Sequence, residues 1–411
     1  MAAGAGLLGQ RLPAAAPGDA TLGPTPRATP GPDLRQPPDA VRVKAAARLL
    51  NLLGSRLQDG SRQEVMALGV DQRARQELRI LRSNVRTLGI TDLSLRYVRD
   101  RSDVVRAAHQ WVGDVRVRWR LSGFDAHDSH LVVPVTFSRS GSQARFVTAR
   151  RDDGGPTPMW LLEPVAVRRT PRSLVVTSAA DRTFRYSGLA DQAVADVLAV
   201  LPGWSGRLVV EVPGGEDGRG VPGGLARVLG SQPSAYAEIA AVTTTADGSV
   251  NPDAPVHIFV NAPVFDPLGP RGAQIVMSHE ATHVATGAAR SSMPTWLMEG
   301  FADYVALDHA GLPVKLMASQ VLASVRRHGP PSHLPGTADF GPHLKALGAS
   351  YESAWLACRL LGRTYGERRL VAFYRAADRA SSTTRAFGSV LGTEEEAFTR
   401  AWRSELRRLA R

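Results

Sequence analysis

Residues Met277–Val284 read Met-Ser-His-Glu-Ala-Thr-His-Val, and this segment holds the side chains best able to do chemistry. On a helix, His279 and His283 lie one turn apart and about 40° apart around the axis, so both imidazoles project to one side. Glu280 falls about 100° from His279 and about 60° from His283, which lets it flank a metal without ligating it. Two neutral nitrogen donors beside a carboxylate base is the set that holds zinc and works on a water molecule. Sixteen positions after His283 comes Glu299, inside Pro294–Tyr304, Pro-Thr-Trp-Leu-Met-Glu-Gly-Phe-Ala-Asp-Tyr. A helix–turn–helix of that length can return Glu299 to the two histidines as a third ligand, leaving a fourth position open. Asp303, one turn beyond, is placed to accept a hydrogen bond from a ligand imidazole.

The surrounding residues have to build those two helices. Pro270 suits an early helical position and Gly287 a C-terminal stop. Ala273, Ile275, Val276, Ala281, Val284 and Ala285 suit a buried helix. Trp296, Leu297, Phe301 and Tyr304 make the second helix too apolar for Glu299 and Asp303 to be an ordinary solvated acidic face.

His-Glu-x-x-His followed by Trp-Leu-x-Glu-Gly-Phe-Ala resembles the signature of gluzincin zinc metallopeptidases, in particular the bacterial peptidase MA-like group. Thermolysin and aminopeptidase N are more distant relatives of that group. The specific part covers 277–304, within about 170–411. The resemblance implies one zinc per chain at His279, His283 and Glu299, with Glu280 as general base in peptide-bond hydrolysis. Ala349–Trp355 and Leu361–Gly366 look like the C-terminal helices of the same group, where a Tyr faces the zinc. Tyr351 is the candidate oxyanion donor, set against an ordinary half-buried tyrosine, and Tyr365 suits a helix end. The gap from His283 to Glu299 is shorter than in thermolysin or aminopeptidase N, so the connecting loop must be tighter. The Gly-x-Met-Glu-Asn segment that anchors a substrate amine in aminopeptidases is missing, which argues against that activity.

Other residues are candidates for the cleft. Val256–Asn261 precedes the active helix and is expected to be an edge strand that pairs with an extended peptide. His257 within it reads as a strand residue rather than a catalyst. His309 reads as solvated, and His328, His333 and His343 fall in a loop-rich region with no further signal.

The whole chain has 411 residues, suggesting two domains and a tail. Residues 1–40 are proline-rich and too poor in large apolar side chains to offset chain entropy, so they read as an extended linker. Met1–Gln10 resemble the end of a signal or anchor segment without its basic start. Two expectations follow: an exported or surface-tethered protein whose start lies upstream, or a cytoplasmic chain with an unfolded N-terminus. Residues 41–167 pass from helical periodicity to alternation, with strands expected at Ser94–Val98, Asp114–Leu121, His130–Phe137 and Arg145–Ala149. That α+β pattern resembles the cone-shaped nuclear-transport-factor-like domains found upstream of actinobacterial peptidases. From about 168 to 411, strands at Leu174–Thr177, Arg207–Val212, Tyr236–Thr244 and Val256–Asn261 surround a helix at Leu189–Leu201. A mostly helical stretch follows, and the resemblance implies a thermolysin-like (gluzincin) domain.

Composition excludes several classes. No run of about 18 apolar residues is present, so the sequence holds no membrane-spanning helix. Cys358 is the one cysteine, which removes intramolecular disulfides and cysteine-built metal sites. The net charge is +12, and 50 − 3 = 47 of the basic residues are arginine, a GC-rich bacterial bias. The arginines look spread along the chain rather than gathered on one helix, and no recognition motif supports nucleic-acid binding. The expected partner is a peptide or protein substrate. The competing class is a non-catalytic binding protein whose metal site is a structural clip, a reading that leaves Glu280 without a task.

Overall fold

The computed structural model describes residues 40–101, 109–151, 154–214, 224–230, 236–308, 310–341 and 344–411. The expected tail at 1–39, His309 and His343 lie outside the described residues. The chain is mixed α+β with two sheets. Its described residues fall into two compact units: 40–165 with Asp247–Pro255, and Ala166–Ala246 with Val256–Arg411. No described helix is long and apolar enough to cross a membrane.

The first unit begins with α1 (Ala40–Asp59), α2 (Arg62–Met66) and α3 (Gln72–Leu88). The sequence marks the ends of these helices. Ser61 and Glu64 form a reciprocal capping box on α2. The Asp71 carboxylate accepts the Ala74 N–H at 2.8 Å to start α3, and Gly89, at φ 63°, ends it. An antiparallel meander follows: β1 (Ile90–Asp100), β2 (Gln110–Leu121), β3 (Ser129–Ser140) and β4 (Gln143–Thr148), in that spatial order. Leu49, Leu50, Leu53 and Leu57 of α1 are buried, as are Val115, Val117, Phe137 and Phe146 of the sheet. A short α4 (Met159–Leu162) precedes the exit. Buried Asn84 fixes that exit: its amide donates to Trp160 O at 2.8 Å and Glu163 O at 2.7 Å, and its oxygen accepts Val165 N–H at 3.1 Å.

The even spread expected of the arginines fails on α3. Arg75, Arg79, Arg82 and Arg86 recur at helical spacing along it, a row invisible in whole-chain composition.

The second unit contains β5 (Ala166–Arg169), β6 (Ser173–Thr177), α5 (Thr183–Val200), β7 (Leu208–Val212), α6 (Gly224–Leu229), β8 (Ala241–Thr245) and β9 (Val256–Val260). Their order in the sheet is β5-β6-β7-β9-β8. β6, β7 and β9 run parallel, and β5 and β8 are antiparallel to their neighbours. Val256–Asn261 is therefore not an edge strand. β9 lies between β7 and β8, where its four apolar residues, Val256, Ile258, Phe259 and Val260, suit a doubly paired strand. The edge on that side is β8, and Tyr236–Ala240, expected as part of it, is not strand.

The rest is helical: α7 (Ala262–Phe265), α8 (Gly269–Thr286), α9 (Thr295–Asp308), α10 (Val314–Met317), α11 (Ser319–His328), α12 (Leu347–Tyr365), α13 (Glu367–Ala380), α14 (Thr384–Ala386) and α15 (Glu395–Ala410). Pro270 sits in the first turn of α8, and Gly287, at φ 68°, closes it in the left-handed conformation glycine favours. Val210, Val212, Ile258 and Val260 on one sheet face join Val194, Val197, Met277, Phe301 and Trp355 in one core. Gly300 sets the α9–α12 approach. A Cβ there would lie 2.4 Å from Ala354 O and 2.5 Å from its carbonyl carbon, so a larger residue would force α12 outward.

Candidate metal centre

α8 carries His279, Glu280 and His283 into the core, where they are 1%, 1% and 7% exposed. A second set of hydrogen bonds holds α8 against α5. Ser278 Oγ donates to buried Asp196 at 2.6 Å, Gln192 donates to the other Asp196 oxygen at 2.8 Å, and Gln274 reaches Ser278 at 3.1 Å. The 3-10 turn Ala288–Arg290 and the short link to Thr295 reverse the chain, and α9 returns with Glu299 and Asp303 one turn apart.

The sequence-predicted ligands meet. His279 Nε2 and His283 Nε2 are 3.0 Å apart, and Glu299 Oε2 lies 3.2 Å from the first and 3.4 Å from the second. Among the described residues this is the one group of three or more His, Cys, Asp or Glu side chains that could hold a metal ion. His279 Nδ1 sits 2.8 Å from Asp303 Oδ1. A carboxylate acceptor there assigns the proton to Nδ1 and turns the Nε2 lone pair toward His283 and Glu299.

Three buried polar atoms in this one site, Glu280 Oε1, His283 Nδ1 and Glu299 Oε2, have no directed hydrogen bond. Buried polar atoms are overwhelmingly paired, and of these three Glu299 Oε2 is the one that faces both Nε2 atoms, so it points to a partner held among them. A cation among the two Nε2 atoms and Glu299 Oε2 would take a lone pair from each of the three. Two imidazoles and one carboxylate are also a donor set that suits zinc. The residues present therefore fit a metal.

Electrostatics agree with that arrangement. Burial alone would depress the His279 pKa, but the Asp303 and Glu299 carboxylates outweigh it and hold it well above the ordinary imidazole value. Burial alone would raise Glu299, but His283 and His279 bring it down to about 2. Imidazole and carboxylate thus favour each other's charged forms, and a metal bound there would take over the cation's part. Burial raises the pKa of Glu280 against the opposing pull of His279, His283 and the Thr243 hydroxyl.

Thr243 was not legible as a site residue. It lies on β8, and its hydroxyl is 2.6 Å from Glu280 Oε2 and 3.1 Å from Glu280 O. Oε2 is thereby held while Oε1 stays unpartnered. The sequence offers Ala-Val-Thr-Thr-Thr at 241–245, and choosing the threonine that faces α8 requires the sheet order.

Tyr351, on α12, is 3% exposed, with its ring centroid 6.3 Å from that of His279 and 5.2 Å from that of Phe340. It is buried beside the cluster rather than half-exposed. Burial and the Glu299, Asp303 and Glu280 charges keep its phenol well above the ordinary pKa, hence a hydrogen-bond donor. Other candidates do not join. His257 is buried in β9 with Nδ1 2.8 Å from Glu211 Oε1, and His328 is an exposed helix end. His333 contacts Leu334 O at 2.9 Å and lines a separate cavity with Thr295 and Arg403. Tyr365 is the last residue of α12.

No family model matches the chain, no curated protein matches it, and no solved structure matches its fold. What the site can do rests on its own donors and distances.

Proposed function

We propose that this protein is a zinc-dependent peptidase of the gluzincin type. Its N-terminal unit is read as a nuclear-transport-factor-like domain and its C-terminal unit as a thermolysin-like one. The observation that carries the reading is the convergence of His279 Nε2, His283 Nε2 and Glu299 Oε2 within 3.4 Å, with the unpartnered Glu280 Oε1 in the same buried site. Three helices before a four-stranded meander, and a five-stranded sheet before α8, support the finer fold reading.

When bound by His279, His283 and Glu299, zinc supplies Lewis acidity, making a water more acidic and a carbonyl more electrophilic. The protein's residues do the rest. Asp303 fixes the His279 ring so that Nε2 keeps its lone pair for the metal. Thr243 grips Glu280 Oε2, which leaves Oε1 to take a proton from the attacking water and pass it to the departing amine nitrogen. The Tyr351 hydroxyl donates to the carbonyl oxygen as negative charge builds there. β8, terminal in the sheet order and the strand that carries Thr243, is the edge on which main-chain pairing would hold the peptide.

Elemental analysis of protein purified without chelator, beside His279→Ala, tests the site. About one zinc per chain, lost in the variant, is the expected result. Peptide-library cleavage with Glu280→Gln as the blank then tests the activity. No zinc in either protein after zinc is supplied would sink the reading, and zinc without cleavage would favour a structural clip.

A further inference from the structure

The N-terminal unit carries a feature that peptide hydrolysis does not use. A cleft of about 500 Å3 is lined by Arg62 of α2, by Arg79, Arg82 and Arg86 of α3, and by Pro164 and Val165 of the exit segment, among others. No carboxylate lines it. Two nearby acids are engaged elsewhere. Glu64 caps α2 through Ser61, and Glu77, about 200° around α3 from Arg79, binds Thr148 Oγ1 and the Ala149 N–H.

Such a row of arginines is costly. Like charges three and four apart on a helix repel, and surface helices ordinarily intersperse acids among them. Here Arg79, Arg82 and Arg86 follow one another at those spacings, and Arg79 Nε is buried without a hydrogen-bond partner. Arg82 is oriented in advance, because its Nε donates to Gly60 O at 2.8 Å and leaves both terminal nitrogens for something else. Gln76, Ser83 and Thr87 add polar side chains to the lining, while Ile80, Pro164 and Val165 add an apolar wall. Asn84 is consumed in holding that wall in place.

We propose that this cleft binds a small molecule carrying two neighbouring phosphates, with its remaining part on the Ile80–Pro164–Val165 wall. Planar guanidiniums pair with phosphate oxygens two at a time. Arg79 to Arg86 spans about 10 Å of helix axis, room for two phosphate groups in sequence rather than one. A cleft of this volume is in the range of small-ligand sites. The inference does not depend on the metal centre, which lies in the other unit.

The test is calorimetric titration of pyrophosphate and of ADP into the full chain at low salt. Expected is saturable one-to-one binding, weakened about tenfold or more in Arg79→Gln/Arg82→Gln. Arg86→Gln, at an exposed position that leaves folding intact, should weaken it severalfold, and Arg375→Gln, exposed on α13, should not change it. Melting curves accompany each variant. A parallel arm offers phosphatidylcholine vesicles containing phosphatidic acid. Capture that pyrophosphate reverses assigns the phosphates to a lipid headgroup, and no capture beside saturable pyrophosphate binding assigns them to a soluble ligand. Absence of saturable pyrophosphate binding, or binding that Arg86→Gln and Arg375→Gln reduce equally, overturns the proposal. So does retention of a random-sequence DNA duplex by a chain that gives no pyrophosphate heat.

Discussion

The candidate metal centre on α8–α9 and the arginine cleft on α3 treat charge in opposite ways. At the first, ionisable groups are buried and braced by neighbours: His279 by Asp303, Glu280 by Thr243, and α8 itself by the Ser278–Asp196–Gln192 chain. What converges there is His279 Nε2, His283 Nε2 and Glu299 Oε2. At the second, positive groups stand in a row with no acid lining the cleft. The contrast teaches where to look for a ligand. In a buried site it is read from the orphaned atoms left after every other polar atom is paired, since unpaired burial is costly. On a surface it is read from a charge imbalance that ordinary helix pairing would have removed.

The sharpest way to break that contrast is to change one orphaned atom. Glu280→Gln keeps the shape and the Thr243 contact but cannot accept a proton. We expect roughly a thousandfold or greater loss of peptide turnover with zinc content unchanged. Substantial residual turnover would mean that Oε1 is unpartnered for some other reason. Removing a brace should cost less. Asp303→Ala frees the His279 ring, and competition with a chelator should show metal affinity about 10–100-fold lower. Thr243→Ala is expected to lower kcat about tenfold with zinc retained, and Thr243→Ser to restore it. An unchanged kcat in Thr243→Ala would make that hydroxyl a packing detail.

The two sites also differ in how far the sequence revealed them. His279, Glu280, His283 and Glu299 were legible because a helix has one geometry, and spacing along it fixes direction. Asp303 followed from the same periodicity one turn on. Thr243 did not, because three threonines in a row are equivalent until the sheet order says which faces α8. The same gap misplaced the edge strand. The apolar run at β9 identifies a strand, but only pairing with both β7 and β8 shows it to be interior. The arginine row was present in the sequence at helical spacing. Against 47 arginines spread along the chain it does not stand out, and the absence of lining acids is a fact of tertiary structure.

Glu352 offers the smallest and subtlest test. It neighbours Tyr351 on α12 and is a charge-bearing group of the C-terminal unit without the metal centre's degree of compensation. Its carboxylate accepts the Val321 N–H at 2.7 Å and hydrogen bonds from the Gln320 backbone and side chain, yet burial outweighs them and raises its pKa from 4.5 to about 7. The folded chain therefore holds a proton between those values that the unfolded chain has released. Stability is undiminished below pH 4.5 and is lost as pH rises through about 7. Glu352→Gln, which keeps an oxygen for Val321 but carries no charge, should leave Tm unchanged at pH 4.5. Above pH 7 it should raise Tm by a few degrees, roughly 1–3 kcal/mol once solvent screening of this partly exposed carboxylate is allowed for. Equal melting at both pH values would show that water or a neighbouring dipole already compensates Glu352. The rule that burial in this unit demands compensation would then extend from the metal centre to the helix beside it.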